Sequence, residues 1–243
     1  LIGDFVTGFV YIPRGLALIL RPGLRRYVIL PVIINVVLFT SAFVLLLEHL
    51  GGWLDGLLPH SFAWLAWLIL PLLFLALSLG VFYTFSLIAN LIASPFSALL
   101  AERIELQMGG RPPSANAGLK QALRSALIGL MTQLSALAYQ LIRLLPLLLL
   151  FLVPVVNLVA TSVLIAFSAW MLALGYLSTP MGNHDIAFRE VRSICKQRKA
   201  LILGLGTGLV LLTWIPLLNL LALPAGTAAA TALWVEKLSP AHR

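Results

Sequence analysis

Read for polar and apolar positions alone, the chain is a series of long apolar stretches parted by short charged ones. Five runs contain no Asp, Glu, Lys or Arg: residues 27–47, 61–101, 125–142, 144–183 and 200–235. Runs of this length mark helices that cross or embed in a membrane. The first makes about 30 Å of helix at 1.5 Å per residue, one bilayer crossing. The second is roughly twice the length a crossing needs. This predicts a tilted second span that continues as helix along the interface, with Pro71 and Pro95 bending it rather than ending it.

The later runs are interrupted differently. Pro154-Val155-Val156-Asn157-Leu158-Val159-Ala160 recurs as Pro216-Leu217-Leu218-Asn219-Leu220-Leu221-Ala222. Each Pro-x-x-Asn falls near the middle of a charge-free run with no polar loop around it, whereas a hairpin tip emerging into water would carry polar residues. Tips this apolar predict a chain that turns inside the bilayer. Proline removes a helix donor there, and Asn can rebond the freed backbone. The arm 200–215 has only 16 residues, short for a span. At the N-terminus, Phe5, Phe9, Ile12 and Leu16 recur at helical spacing opposite Asp4, Thr7, Tyr11 and Arg14, as in a helix lying along the interface.

The expected fold is thus an all-α integral membrane protein in one membrane domain, 1–243. An interfacial amphipathic helix (1–22) precedes two transmembrane helices (24–47 and 61–101). Two partly penetrating, re-entrant helical hairpins follow (119–182 and 199–236), with tips at Pro154, Asn157, Pro216 and Asn219. Six complete spans is the alternative, and it gives the same parity.

Composition narrows the function. Apolar residues make up 61% of the 243 and charged residues 10%, with a mean hydropathy of +1.04. Soluble domains are about half apolar and a quarter charged, so a soluble globular enzyme is excluded. The net charge of +8 is unevenly shared. Only the connection holding Glu48 and Asp55 is acidic; every other polar segment is basic. The positive-inside rule therefore puts the N-terminus, both basic central segments and the C-terminus in the cytoplasm, with the 51–60 loop outside. The Lys and Arg clusters flank hydrophobic spans, which argues for a membrane surface and against nucleic acid. The single cysteine, Cys195, excludes an intramolecular disulfide framework. Asp4 and Arg14 within the first twenty residues do not fit a cleavable signal peptide.

Catalytic constellations are not visible, and the chain does not read as an enzyme. His49, His60, His184 and His242 are scattered without ligand spacing, so neither a metal nor a cofactor is expected. Gly204-Leu205-Gly206-Thr207-Gly208 lacks the Lys-Ser/Thr of a phosphate loop and reads instead as a close helix contact. The informative stretch is Arg21-Pro22-Gly23-Leu24-Arg25-Arg26. Pro22-Gly23 turns the chain, and Leu24, Arg25 and Arg26 open the first span. A helix start offers unpaired N–H groups and the positive end of the macrodipole, and two arginines add forked donors suited to an oxyanion. The same residues also suit a plain headgroup anchor, with Gly23 merely supplying the turn; both readings stand on the local pattern.

Several collinear motifs resemble one family. Gly8-Phe9, Arg14-Gly15, the run Pro22-Gly23-Leu24-Arg25-Arg26-Tyr27-Val28-Ile29-Leu30-Pro31 and Asn35 are similar to the N-terminal signature of the CysZ sulfate transporters. Ala93-Ser94-Pro95-Phe96, Leu99-Leu100-Ala101-Glu102-Arg103-Ile104-Glu105, Tyr176-Leu177, Pro180-Met181-Gly182-Asn183-His184 and Ile215-Pro216-Leu217-Leu218-Asn219 continue the resemblance nearly end to end. It implies sulfate uptake across the bacterial inner membrane by a homo-oligomer, dependent on protons and supplying sulfur for cysteine biosynthesis. It also implies sulfate bound by the Gly23 and Leu24 backbone N–H groups and by the Arg25 and Arg26 side chains. Beside the Tyr176 motif this chain has Gly175 and Ser178 where acidic residues are expected, which puts coupling through carboxylates there in doubt.

Physical reasoning fits that implication. A site built of donors alone leaves the proton of partly protonated phosphate unpaired and so favours sulfate. Carrying two negative charges inward against 100 mV costs about 4.6 kcal/mol, which calls for proton symport or a channel-like conduit fed by a steep gradient. Glu102, Arg103, Glu105 and Arg111 follow the second long run and are the candidates for an ion pathway or for coupling, and Glu236, at the end of the last run, is a further carboxylate that could carry a proton; salt bridging with Arg103 or Arg111 is the plainer role of these carboxylates. A scaffold whose basic loops bind anionic lipid or a partner is the remaining class. Arg25 and Arg26 fall on the cytoplasmic side under the charge rule, as an exit or regulatory station or in protomers inserted both ways.

Overall fold

A computed structural model describes residues 1–57, 66–110, 119–150, 157–219 and 221–239. The regular structure among them is entirely helical: α1 (Ile2–Ile19), α2 (Arg25–Leu57), α3 (Ala66–Gln107), α4 (Leu119–Leu150), α5 (Asn157–Asn183), α6 (Phe188–Gln197), α7 (Lys199–Trp214), α8 (Pro216–Asn219) and α9 (Ala222–Leu233), closed by a π-helical turn, Trp234–Leu238. Three of the described helices are long and apolar enough to cross a membrane: Ile2–Ile19, Arg25–Leu45 and Val159–Asn183. This is a membrane protein.

Two compact units divide the chain. One is Val28–Phe96, the bulk of α2 and α3. Ile29, Ile33, Val36, Val37, Leu72, Leu75 and Leu79 are exposed on it, as suits helices whose solvent is hydrocarbon. The helix α2 runs past the expected boundary at residue 47 and takes up the first seven residues of the 51–60 loop. Gly51 and Gly52 each cost about 1 kcal/mol relative to alanine, too little to stop a long apolar helix, and the first proline after them is Pro59. As expected, α3 continues through Pro71 and Pro95.

The other unit joins Leu1–Tyr27 to Ser97–Arg243. Its core forms where α1 lies against both α7 and α9. The contact is backbone to backbone. A Cβ at Gly8 would run into the Leu201 carbonyl, one at Gly204 into the Phe5 carbonyl, and one at Gly15 into the Ala225 carbonyl. Small residues make this approach possible, the role read for Gly204 from sequence. The face of α1 differs from the expected one: Gly8, Tyr11, Ile12, Gly15, Leu18 and Ile19 are buried, whereas Phe5 and Phe9 stay partly exposed. Tyr11, assigned to the polar face, turns inward because its hydroxyl has a carboxylate to meet on the C-terminal turn.

The break at Pro216 follows from local rules. Ile215 is extended (φ −91°, ψ 110°), the conformation forced on a residue ahead of proline, and α7 stops there. The Asn219 backbone N–H, rather than its side chain, returns to the Ile215 carbonyl at 2.8 Å. Pro154 lies outside the described residues, and Asn157 begins α5. The amphipathic helix α6 was hidden by its charges. Phe188, Val191, Ile194 and Cys195 recur at helical spacing and are all buried.

Candidate functional site

The connection between α1 and α2 is built as the sequence suggested. Gly23 has φ +88°, a left-handed conformation that residues with a Cβ adopt only at a cost. This turn lets α2 start at Arg25. Leu24 is fully buried and pins the turn to the protein, while Arg21, Arg25 and Arg26 stay exposed.

The two guanidinium groups are tethered differently. Arg25 donates from Nε to the Leu20 carbonyl at 2.6 Å, closing the last turn of α1. Arg26 donates from Nη2 to the Tyr27 hydroxyl at 3.2 Å, and its Cζ lies 5.0 Å from the centre of that ring. The Leu24 amide donates to the Arg21 carbonyl at 3.2 Å, a turn bond at the long end of the N–H···O range. As the first residues of α2, Arg25 and Arg26 have amides with no intrahelical acceptor. Among the described residues, the ion pairs are Arg14–Glu236, His184–Glu105 and Arg198–Asp4; none uses Arg21, Arg25 or Arg26. Cationic donors with no carboxylate paired to them, at the positive end of a helix, are groups with which an anion interacts favourably.

A second polar cluster lies at the far end of α3. Glu105 is 4% exposed and accepts hydrogen bonds from His184 Nε2 at 2.9 and 3.1 Å. The His184 ring lies 5.8 Å from that of Trp234, whose own Nε1 is buried without a partner among the described residues. Asn183 donates from Nδ2 to the Ala98 carbonyl at 3.0 Å, tying the end of α5 to α3 beside this pair. Of the four residues proposed around an ion pathway, only Glu105 is brought into this cluster. Glu102 is half-buried, Arg103 is exposed, and Arg111 lies outside the described residues. The partner of Glu105 is a histidine 79 positions away rather than a neighbouring arginine. Sequence gave one signal for it: Asn183-His184 closes one of the family-like motifs and Glu105 closes another. Beside the Tyr176 motif, the Ser178 hydroxyl is spent on the Leu174 carbonyl at 2.7 Å.

The termini meet at a third cluster. Arg14 forks onto Glu236 (Nη1 to Oε2, 2.7 Å; Nη2 to Oε1, 2.5 Å), and the Tyr11 hydroxyl donates to Oε2 at 2.7 Å. The hydrogen-bonded Arg14 guanidinium holds the Glu236 carboxyl below the usual carboxylate range, with Tyr11 assisting and partial burial opposing.

A family model described as "Sulfate transporter CysZ/Etoposide-induced protein 2.4" matches residues 11–224. The chain belongs to that family.

Proposed function

From membership of a sulfate transporter family, we propose that the chain carries sulfate across the bacterial inner membrane, in a proton-dependent manner, for cysteine biosynthesis, and that it does so as a homo-oligomer. Sulfate binds at the start of α2, between the Gly23 and Leu24 amides and the terminal nitrogens of Arg25 and Arg26. The observation that carries this reading is the left-handed Gly23 turn ahead of two exposed arginines that no carboxylate pairs among the described residues. A doubly charged oxyanion competes readily with the 3.2 Å bond that occupies the Leu24 amide. Selectivity follows from the donors: among the described residues the ion-paired carboxylates Asp4, Glu105 and Glu236 are paired to Arg198, His184 and Arg14 rather than to Arg25 or Arg26, so an all-donor site leaves the proton of hydrogen phosphate unmatched.

Of the coupling candidates Glu102, Arg103, Glu105 and Arg111, we assign the role to Glu105, together with its hydrogen-bond partner His184. Their hydrogen bond joins a buried carboxylate of α3 to an imidazole at the end of α5, so it links two helices through one polar contact. Partial penetration by the second hairpin is supported by length: α7, with 16 residues, reaches about 24 Å, short of a 30 Å hydrocarbon core. The test is uptake of radiolabelled sulfate into proteoliposomes with and without an imposed pH gradient. Saturable uptake that the gradient stimulates and Arg25→Ala with Arg26→Ala abolishes supports the proposal. Uptake indifferent to the gradient replaces symport with a conduit, and uptake unchanged in the double variant removes the site.

A further inference from the structure

Lined by none of the residues of these three clusters, a groove of about 590 Å³ lies between α4, α5 and α7. Pro146 and Leu147 of α4, Val163, Phe167 and Trp170 of α5 and Leu203 of α7 line it, and Arg143 is the one charged side chain among the lining residues. In the same stretch of α4, Leu145, Leu148 and Leu149 are exposed.

A second arginine stands at the same end. The Cζ of Arg143 lies 4.1 Å from the centre of the Tyr139 ring, and that of Arg192, from α6, lies 4.8 Å from it. Phe188 of α6 meets the same ring edge-on with centroids 5.9 Å apart, holding Tyr139 of α4 against α6. Two like charges gathered on one aromatic ring repel each other, and neither has a carboxylate in an ion pair among the described residues. An anion bound by both guanidinium groups offsets that repulsion. Guanidinium groups favour phosphate oxygens in forked geometry, and basic pockets beside apolar clefts on the cytoplasmic side take lipid headgroups.

We propose that this groove binds one anionic phospholipid, its phosphate held by Arg143 and Arg192 and one acyl chain laid along Phe167 and Trp170. The joined apolar cleft selects a lipid over a free oxyanion, for which Leu147 and Phe167 offer nothing. The site is distinct from the start of α2, so it stands or falls separately from sulfate binding there.

Trp170 provides the readout. The protein is reconstituted in vesicles doped with phosphatidylglycerol or phosphatidylcholine brominated on an acyl chain, and tryptophan quenching is compared between wild type and Trp170→Phe. Excess quenching by the phosphatidylglycerol, lost in W170F, supports the site. Its apparent preference should fall about fivefold for each of R143A and R192A, the worth of one basic residue near an anionic lipid surface. Equal quenching by the two lipids in wild type overturns the proposal without needing a variant. So does a preference that survives R143A with R192A. Sodium sulfate, against sodium chloride of equal ionic strength, should leave the preference intact; loss of preference to sulfate alone would make the arginines a free oxyanion site and overturn the lipid assignment.

Discussion

Arg25 donates its Nε proton to the Leu20 carbonyl at 2.6 Å, so the first residue of α2 also closes the last turn of α1. Arg26 has no such duty, since its contacts are with the adjoining Tyr27. The two neighbours therefore separate structure from binding. Arg25→Ala should weaken sulfate binding and also lower the thermal midpoint, by the loss of a charge-assisted bond worth about 1.5–3 kcal/mol at most. Arg26→Ala should weaken binding about tenfold or more while leaving the midpoint nearly unchanged. Equal midpoint losses in the two variants would show that Arg25 does not cap α1.

At Gly23 the strain and the space can be told apart. Nothing lies within 4 Å of where a Cβ would stand, but φ is +88°. Gly23→Ala should thus cost about 1–2 kcal/mol through the backbone alone, and Gly23→Asn less, because Asn tolerates the left-handed region. Denaturation of the variants in detergent measures both; a larger loss for Asn than for Ala would point to crowding instead.

The opposite holds at Gly204, where an added methyl would meet the Phe5 carbonyl. Backbone cannot step aside as a side chain can, so Gly204→Ala should destabilise by about 1–3 kcal/mol or more, as overpacking does. Protease sensitivity of α1 is the check: cleavage near the N-terminus should rise in this variant and stay low in Gly3→Ala, where the space is open.

Much of this was legible because it is local. The stop of α7 before Pro216, the turn at Pro22-Gly23 and the tolerance of Pro71 and Pro95 each depend on a few adjacent residues. What escaped depends on partners distant in the chain. Tyr11 sits among polar residues on a helical wheel of α1, yet it is buried because Glu236, 225 positions on, accepts its hydrogen bond. Glu105 and His184 likewise meet only through packing of α3 against the end of α5. The charges of α6 masked its apolar stripe, and the charged connection holding Glu48 and Asp55 suggested a loop whose first seven residues α2 takes up as helix.

The clasp of Arg14 on Glu236 has a definite pH sense. The folded carboxyl lies below its ordinary range, so its contribution is fully present above the unfolded pKa, near 4.3 for Glu, and is lost as pH falls through the folded value. Wild type should lose stability in that acid window, and Glu236→Gln should flatten this limb while lowering stability at pH 7 by up to about 1 kcal/mol, as for a partly exposed pair. Thermal midpoints from pH 3 to 7 decide it; parallel curves would mean that the carboxyl is not coupled to folding.

For Glu105 the readout is transport. Glu105→Gln keeps an acceptor for His184 but removes the charge, so sulfate should still bind while stimulation of uptake by a pH gradient disappears. Retained stimulation would move coupling elsewhere.

The most direct measurement is calorimetric titration of sulfate into the purified protein and into the Arg25→Ala, Arg26→Ala double variant, with the helical circular dichroism of both confirmed. Saturable heat in the wild type and none in the variant is the expected result. The same heat in both proteins, or none in the wild type, would contradict a sulfate site at the start of α2.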